Sequence, residues 1–356
     1  MNRATLPGLA ERLVEDAALG WRLQFAFGGL HPDAALPLLG AHGAEGAVAR
    51  VAAAGARRAR SRDAVKVPAV ERAGQLAGLG IEVVFRGDDA YPARLADRQG
   101  APDLLFVLGS WPAGPAAAVV GTRRCSSYGR NLATAYGQAI ANAGWVLISG
   151  LARGIDGAAH RGTVAVGGSG VAVLGCGLDI AYPREHATLR DQLLESGGAI
   201  VSEYPPGTPP EAWRFPPRNR IISGAAQAVV VVEAAIKGGA LITANTALDQ
   251  GVPVFATPGD VGKASAAGCN HLIRDGAHPV LDPSDLIAEL ELILGPPRQT
   301  RDAQNEWAWE GISVERMAVS HAMTIAEAAA TLSRAELAGA VVRHGDRYYP
   351  APGAGR

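Results

Sequence analysis

What most limits the folds open to this chain is a series of short apolar runs that do not alternate with polar residues. They lie at residues 81–85, 104–108, 117–120, 145–149, 170–174, 199–202, 228–233 and 253–256. A strand with one wet face alternates, whereas a strand apolar at every position is buried on both faces. Helix-length segments separate most of the runs, so the pattern predicts an α/β domain over residues 70–294, a mostly parallel sheet with helices on both sides.

The flanks read differently. Residues 1–69 predict a small helical domain broken by glycine, with apolar positions Leu19, Leu23, Phe27, Leu30, Leu36 and Leu39 and a basic tail of Arg57, Arg58, Arg60 and Arg62. That tail reads as a solvated helix end or linker rather than a DNA contact. Gly295, Pro296 and Pro297 open a polar linker over residues 295–304. In residues 305–356 the spacing predicts a helix over 314–319, a turn over 320–324, a second helix over 325–340 and a hairpin over 341–349 around Gly345, the order of a winged helix. Its second helix carries Ala326, Ala328, Ala329 and Ala330 with Arg334 as its one basic residue, a poor major-groove reader, so contact with a protein or an accessory role is expected.

A net charge of −1 supplies no global field for a polyanion, so any nucleic-acid site must be a local gathering of Arg and Lys. The three cysteines, Cys125, Cys176 and Cys269, are far apart and form no CxxC, which predicts neither disulfide nor zinc and fits a reducing cytoplasm. No basic-then-apolar leader and no 18-residue apolar stretch is present, so neither export nor membrane insertion is expected.

In a parallel sheet the chemistry gathers beyond the carboxyl ends of the strands. The loops there are rich in glycine, hydroxyl and basic residues: Gly121, Thr122, Arg123 and Ser126; Gly150, Arg153 and Gly154; Gly175 and Gly177 leading to Arg184; Lys237, Gly238 and Gly239; and Gly259. Glycine lets backbone N–H groups approach a phosphate, and a following helix start favours negative charge. Before the run at 228–233 comes FPPRNRIISG, residues 215–224, where Pro216 and Pro217 are expected to hold an extended lead-in. Arg218, Asn219 and Arg220 would then open a new element facing an anion, with Tyr128, Tyr182, Tyr204, Trp213 and Phe215 as stacking partners.

Competing chemistries fit less well. Gly175 and Gly177 are followed by Ile180 where a dinucleotide fingerprint needs its third glycine. Gly238 and Gly239 resemble part of the PGGxGTxxE motif of nucleotide phosphoribohydrolases, but Asn245 stands where their glutamate belongs. Asp156 and His160 share a helix face as an acid/base or metal pair, although an Asp favoured by the helix dipole with a His one turn on explains them more simply.

Taken in order, GTRRCSSYG (121–129), SGLARGID (149–156), GCGLDIAYP (175–183), SEYPPGTPP (202–210), FPPRNRIISG (215–224), VVEAAIKGGALITA (231–244) and VFATPG (254–259) resemble the DNA-processing protein A family, DprA or Smf, over residues 88–282. The resemblance implies an extended Rossmann-like sheet, preceded by a sterile-alpha-motif-like (SAM-like) helical domain and followed by a winged helix. It implies a non-enzymatic, dimeric protein without cofactor that coats incoming single-stranded DNA in natural transformation and helps load the RecA recombinase. By motif, Arg123, Arg218 and Arg220 would line the strand pocket, with Arg153, Arg184 and Lys237 beside them. Two positions depart from the family: Gly238-Gly239-Ala240 where Ser-Gly-Ser is usual, and His186 where asparagine is common, so those loops are expected to offer backbone contacts only. Two alternatives stay open: a nucleotide phosphoribohydrolase-like enzyme on the same sheet, and a regulator whose winged helix binds duplex DNA while the central domain senses a nucleotide.

Overall fold

All eight apolar runs are strands in the computed structural model, which describes residues 8–28, 41, 46, 47, 50, 67–295, 313–320, 323–337 and 341–350. In chain order the elements are α1 (Leu9–Glu15), α2 (Ala17–Phe27), α3 (Ala69–Gly78), β1 (Ile81–Phe85), α4 (Ala93–Ala96), β2 (Leu104–Gly109), β3 (Ala116–Val120), α5 (Ser127–Asn142), β4 (Val146–Ser149) and α6 (Ile155–Ala165). There follow β5 (Gly170–Leu174), α7 (Ala187–Glu195), β6 (Ala199–Ser202), α8 (Phe215–Ala225), β7 (Ala228–Val231), α9 (Gly239–Asp249), β8 (Val254–Ala256), α10 (Ala267–Arg274), β9 (His278–Pro279) and α11 (Pro283–Leu294). Strand β9 was not expected, being two exposed residues with no period to read.

The sheet order is β1-β2-β6-β5-β4-β3-β7-β8-β9. Strand β2 runs antiparallel to β1 and β6, and every other pair is parallel. Alternate residues of β3 explain why it cannot carry a polar side chain. Ala116, Ala118 and Val120 face a core with Ile221 and Ile222 of α8 and Ala244 of α9, while Ala117 and Val119 face a second core with Tyr136 and Ile140 of α5 and Ile155 and Ala159 of α6. A third core sets Leu13 of α1, Leu76 of α3 and Leu193 of α7 against β1, β2 and β6.

Helices α5 and α6 touch backbone to backbone. A Cβ on Gly162 would overlap the Thr134 carbonyl, and one on Gly137 would overlap that of Ala159. At the other end, Arg12 of α1 donates to both carboxylate oxygens of Asp88 at 2.7 Å and Arg22 of α2 donates to Asp103 at 2.8 Å. Both guanidiniums lie over the Phe85 ring, 5.5 and 4.8 Å from its centre, so charge and an aromatic face together fix the first helices to the end of β1. Of the apolar positions anticipated there, Leu23 is buried and Phe27 packs edge-on against Phe106, whereas Leu30, Leu36, Leu39, the Arg57–Arg62 tail and the linker beyond Gly295 lie outside the described residues.

One expectation fails locally. Phe215 and both prolines belong to α8, and a single 3₁₀ turn over Ala212–Arg214 leads into them, so the lead-in is helical rather than extended. A proline in the first turn loses no hydrogen bond, because those N–H groups have no partner inside the helix, and its fixed φ already suits the helix. The helices after β3 and β7 start at Ser127 and Gly239.

The chain divides into two compact units, residues 1–297 and 298–356. In the second, α12 (Val314–Ser320), α13 (Ile325–Leu337) and the antiparallel pair β10 (Val341–His344) and β11 (Arg347–Pro350) follow in the anticipated order of two helices and a hairpin, while residues 321 and 322 of the expected turn lie outside the described residues. Leu332, Val341 and Tyr348 form its core, and Thr324 and Glu327 cap α13 reciprocally.

Gly162→Ala puts a methyl group against the Thr134 carbonyl and forces α5 and α6 apart. It is expected to lower stability by about 2 kcal/mol, read as a lower urea midpoint at unchanged slope.

Candidate nucleic-acid interface

Parallel strands β3 to β8 send the loops after them to one edge of the sheet, and β3 sits between β4 and β7, where the connections diverge to either side. The residues expected to bind a phosphate all lie on this edge or on α8 behind it. Their side chains are not equally free.

Arg218 is buried, 4% exposed, in the first turn of α8. Its Nη1 donates to the carbonyls of Gly150 (3.1 Å) and Val173, tying α8 to the loop after β4 and to the end of β5. A Cβ on Gly150 would collide with this guanidinium and with Asp156 Oδ2, so the two charges face each other across the glycine. Burial pushes the Asp156 carboxyl up; Arg218, then Arg123, and N–H groups of Ala152 and Gly121 oppose that shift. Burial likewise pulls Arg218 down to about 10, with Asp156 opposing.

Arg220 is fully engaged as well. Nε donates to the Gly100 carbonyl at 2.6 Å, Nη1 to that of Pro217 at 2.9 Å and Nη2 to Glu203 at 2.6 Å. Between them, half-buried Asn219 lends its own carbonyl to the Ser223 hydroxyl. The FPPRNR arginines therefore do not stand open at the mouth of a turn. Arg218 is turned onto carbonyls of the sheet edge through Nη1, with its buried Nε left without a partner among the described residues, and half-buried Arg220 is held by two carbonyls and Glu203.

Several glycines also have a cause different from the one expected. The space beside Gly121 is filled by Ile155, that beside Gly154 by the backbone of Thr122 and Arg123, and that beside Gly150 by Arg218 and Asp156. These positions need glycine for the protein's own packing. The helix starts are partly taken too. Glu233, at the end of the β7 run, accepts from the Ser126 N–H (2.9 Å) and hydroxyl (3.1 Å) at the start of α5, and Ser126 caps that helix by accepting from the Gly129 N–H. Thr122 Oγ1 accepts from the Arg124 N–H.

What remains open is narrower. Arg123 is exposed, 4.6 Å over the Phe215 ring, with no carboxylate on it among the described residues, and Phe215 packs 5.4 Å from Tyr182. Arg184 and Lys237 are exposed and form no ion pair among the described residues. Gly238 and Gly239 start α9, where no side chain caps the helix and a Cβ on Gly239 would meet nothing. Arg153 is exposed but held by both oxygens of Glu185. Arg214, unremarked in the sequence, lies between the Trp213 ring at 4.4 Å and the Tyr204 ring at 5.5 Å, paired with Glu211. Its signal was an arginine beside two aromatics in the same stretch of loop.

Asp156 and His160 are both buried. Burial first, then the neighbouring His186 ring, pushes His160 down to about 3, leaving it neutral. No group of three metal-ligating side chains occurs among the described residues.

Arg218→Ala would leave the Asp156 carboxylate buried without its main counter-charge, an expected loss of about 3 kcal/mol in urea unfolding. His160 gives a separate signature. Below its ordinary 6.5 the unfolded chain takes up a proton that the folded chain refuses down to about 3, so stability falls with pH by up to about 1.4 kcal/mol per unit. In His160→Leu that part of the acid-side slope is expected to vanish, read from unfolding midpoints between neutral and acid pH.

The family model for DNA recombination-mediator protein A matches residues 82–291. Protein Smf of Escherichia coli K12 is 46% identical over 203 residues, 56% of this chain and 54% of that protein, so the match spans about half the length of this relative. DNA processing protein DprA of Streptococcus pneumoniae R6 is 42% identical over 206 residues, 57% of this chain and 72% of that one. The X-ray structure of DprA from S. pneumoniae superposes with a TM-score of 0.59 at 32% identity, over 80% of this chain and 98% of that chain. DNA processing protein A of Helicobacter pylori shares the fold at a TM-score of 0.53 and 24% identity, over 60% of this chain and 96% of that chain. With the sheet order, the crowded glycines and the loop motifs all lying inside the matched span, the chain belongs to the DNA recombination-mediator protein A family.

Proposed function

We propose that this chain binds single-stranded DNA along the carboxyl edge of its sheet, protects it and helps load RecA in recombination and natural transformation, acting in the cytoplasm as a homodimer without catalysing a reaction. The observation that carries the reading is Arg123, an exposed guanidinium without a carboxylate, stacked on Phe215. A phosphate on its outer edge and a base beside Phe215 or Tyr182 would use both halves of that pair, without reading sequence. The family's description as a recombination mediator supports the role. No described helix is long and apolar enough to cross a membrane.

Arg123, Arg184, Lys237 and, once released from Glu185, Arg153 reach the phosphates, and the N–H groups of Gly238 and Gly239 add to them. Arg218, Asn219 and Arg220 act from behind, holding the edge in shape, while Gly121, Thr122, Ser126, Gly150 and Gly154 set the paths of the loops. The 298–356 unit serves as an accessory or protein-contact domain.

Titration of labelled oligothymidylate against salt tests the proposal. Arg123→Ala is expected to weaken binding about tenfold and to reduce the log–log salt slope by about 0.7, the share of one single-strand phosphate. Nucleotide turnover without strand binding would overturn the reading in favour of the hydrolase alternative.

A further inference from the structure

The contact between α5 and α6 does more than pack two helices. It sets Thr134 against Gly162, so Arg130, one turn before Thr134, and Arg161, next to Gly162, come out side by side. Both are exposed, and neither has a carboxylate partner among the described residues. Partial burial is the main cause that lowers the Arg161 pKa, and the neighbouring Arg130 charge adds to it.

Arg161 is nonetheless oriented. The Nδ1 of His186 lies 2.9 Å from the Leu151 carbonyl, which can only accept, so Nδ1 carries a proton, and the donor-only guanidinium of Arg161 facing Nε2 requires a lone pair there. Arg161 Nη1, 3.4 Å away, donates to that lone pair. A neutral imidazole thus aims the guanidinium without cancelling its charge. Arg153, Arg214 and Arg220 differ, each carrying Glu185, Glu211 or Glu203. His186 stands where the family commonly has asparagine, and the loop contributes a side chain after all, from inside.

We propose that Arg130 and Arg161, with His186 as positioning residue, form a second phosphate-binding step for a single strand leaving the sheet edge over the α5–α6 face. The inference rests on the strand-binding reading above. A phosphodiester suits the pair because its negative charge relieves the repulsion and its oxygens accept from two forked donors. The step is continuous with the edge on two sides. Helix α5, which carries Arg130, begins directly after the loop carrying Arg123, and His186 directly follows Glu185, the partner of Arg153.

The test uses the full chain and an oligothymidylate ladder titrated against salt. The double variant Arg130→Ala, Arg161→Ala is expected to lose about 1.4 from the slope on long oligomers, two phosphates at about 0.7 each, and at least tenfold in affinity. On the shortest oligomer that wild type retains it should match wild type. Arg161→Lys, which keeps the charge, should keep most of the slope, so a loss through misfolding is told apart from loss of charge; Arg130→Gln, at an exposed position, gives a second folded probe with half the effect. An unchanged slope at every length, or an equal loss at every length, overturns the second step while leaving the edge site standing. Wild type that binds no oligomer overturns both.

Discussion

The sheet edge depends on the burial of one guanidinium. Arg218 donates from α8 to carbonyls of Gly150 and Val173 and faces Asp156 in the first turn of α6, so one side chain joins two helices and the ends of two strands. Neither charge would tolerate burial alone, and together they fix the loops between them. Gly150 follows from this, since a side chain there would occupy the space of both.

Around that pair, the protein's own carboxylates occupy many of the places where a phosphate would be favoured. Glu233 covers the start of α5, Asp156 accepts from loop N–H groups at the start of α6, Glu203 holds Arg220 and Glu185 holds Arg153. A basic edge in a chain of net charge −1 has to be balanced, and these pairs do so locally. The buried pairs are structural, because displacing a carboxylate from them would strand it without solvent. The Arg153–Glu185 pair is exposed, screened and cheap to exchange. The exposed cations that form no ion pair among the described residues, Arg123, Arg184 and Lys237 on the edge and Arg130 and Arg161 beside it, are the ones the proposed strand would meet.

Rigidity comes from the same economy of contacts. Gly137 and Gly162 bring α5 and α6 together at backbone distance, and Arg12 and Arg22 clasp Phe85 to fasten the first helices to β1. Loops held between such fixed elements present their cations at set positions, which would lower the ordering cost of gripping the proposed strand.

Eight strands were legible in the sequence because burial on both faces leaves no polar residue in the run, and β9, with two exposed residues, left no such trace. The seven motifs fall along one edge of the sheet, and the aromatic residues Tyr182, Tyr204, Trp213 and Phe215 near it were visible as residue types. Which arginine faces water was not legible. Arg123 and Arg218 look alike in one dimension, yet one lies on an aromatic ring in solvent and the other is enclosed by carbonyls from strands 45 to 68 residues away. The pairing of Arg161 with His186, 25 residues apart, was equally hidden. The sequence by itself determined the sheet, its helices and the edge where the glycine-rich loops gather, because periodicity and glycine spacing are local. Only the tertiary structure decided which charges are neutralised, because a partner's carboxylate or carbonyl arrives from a distant part of the chain and burial depends on all of it.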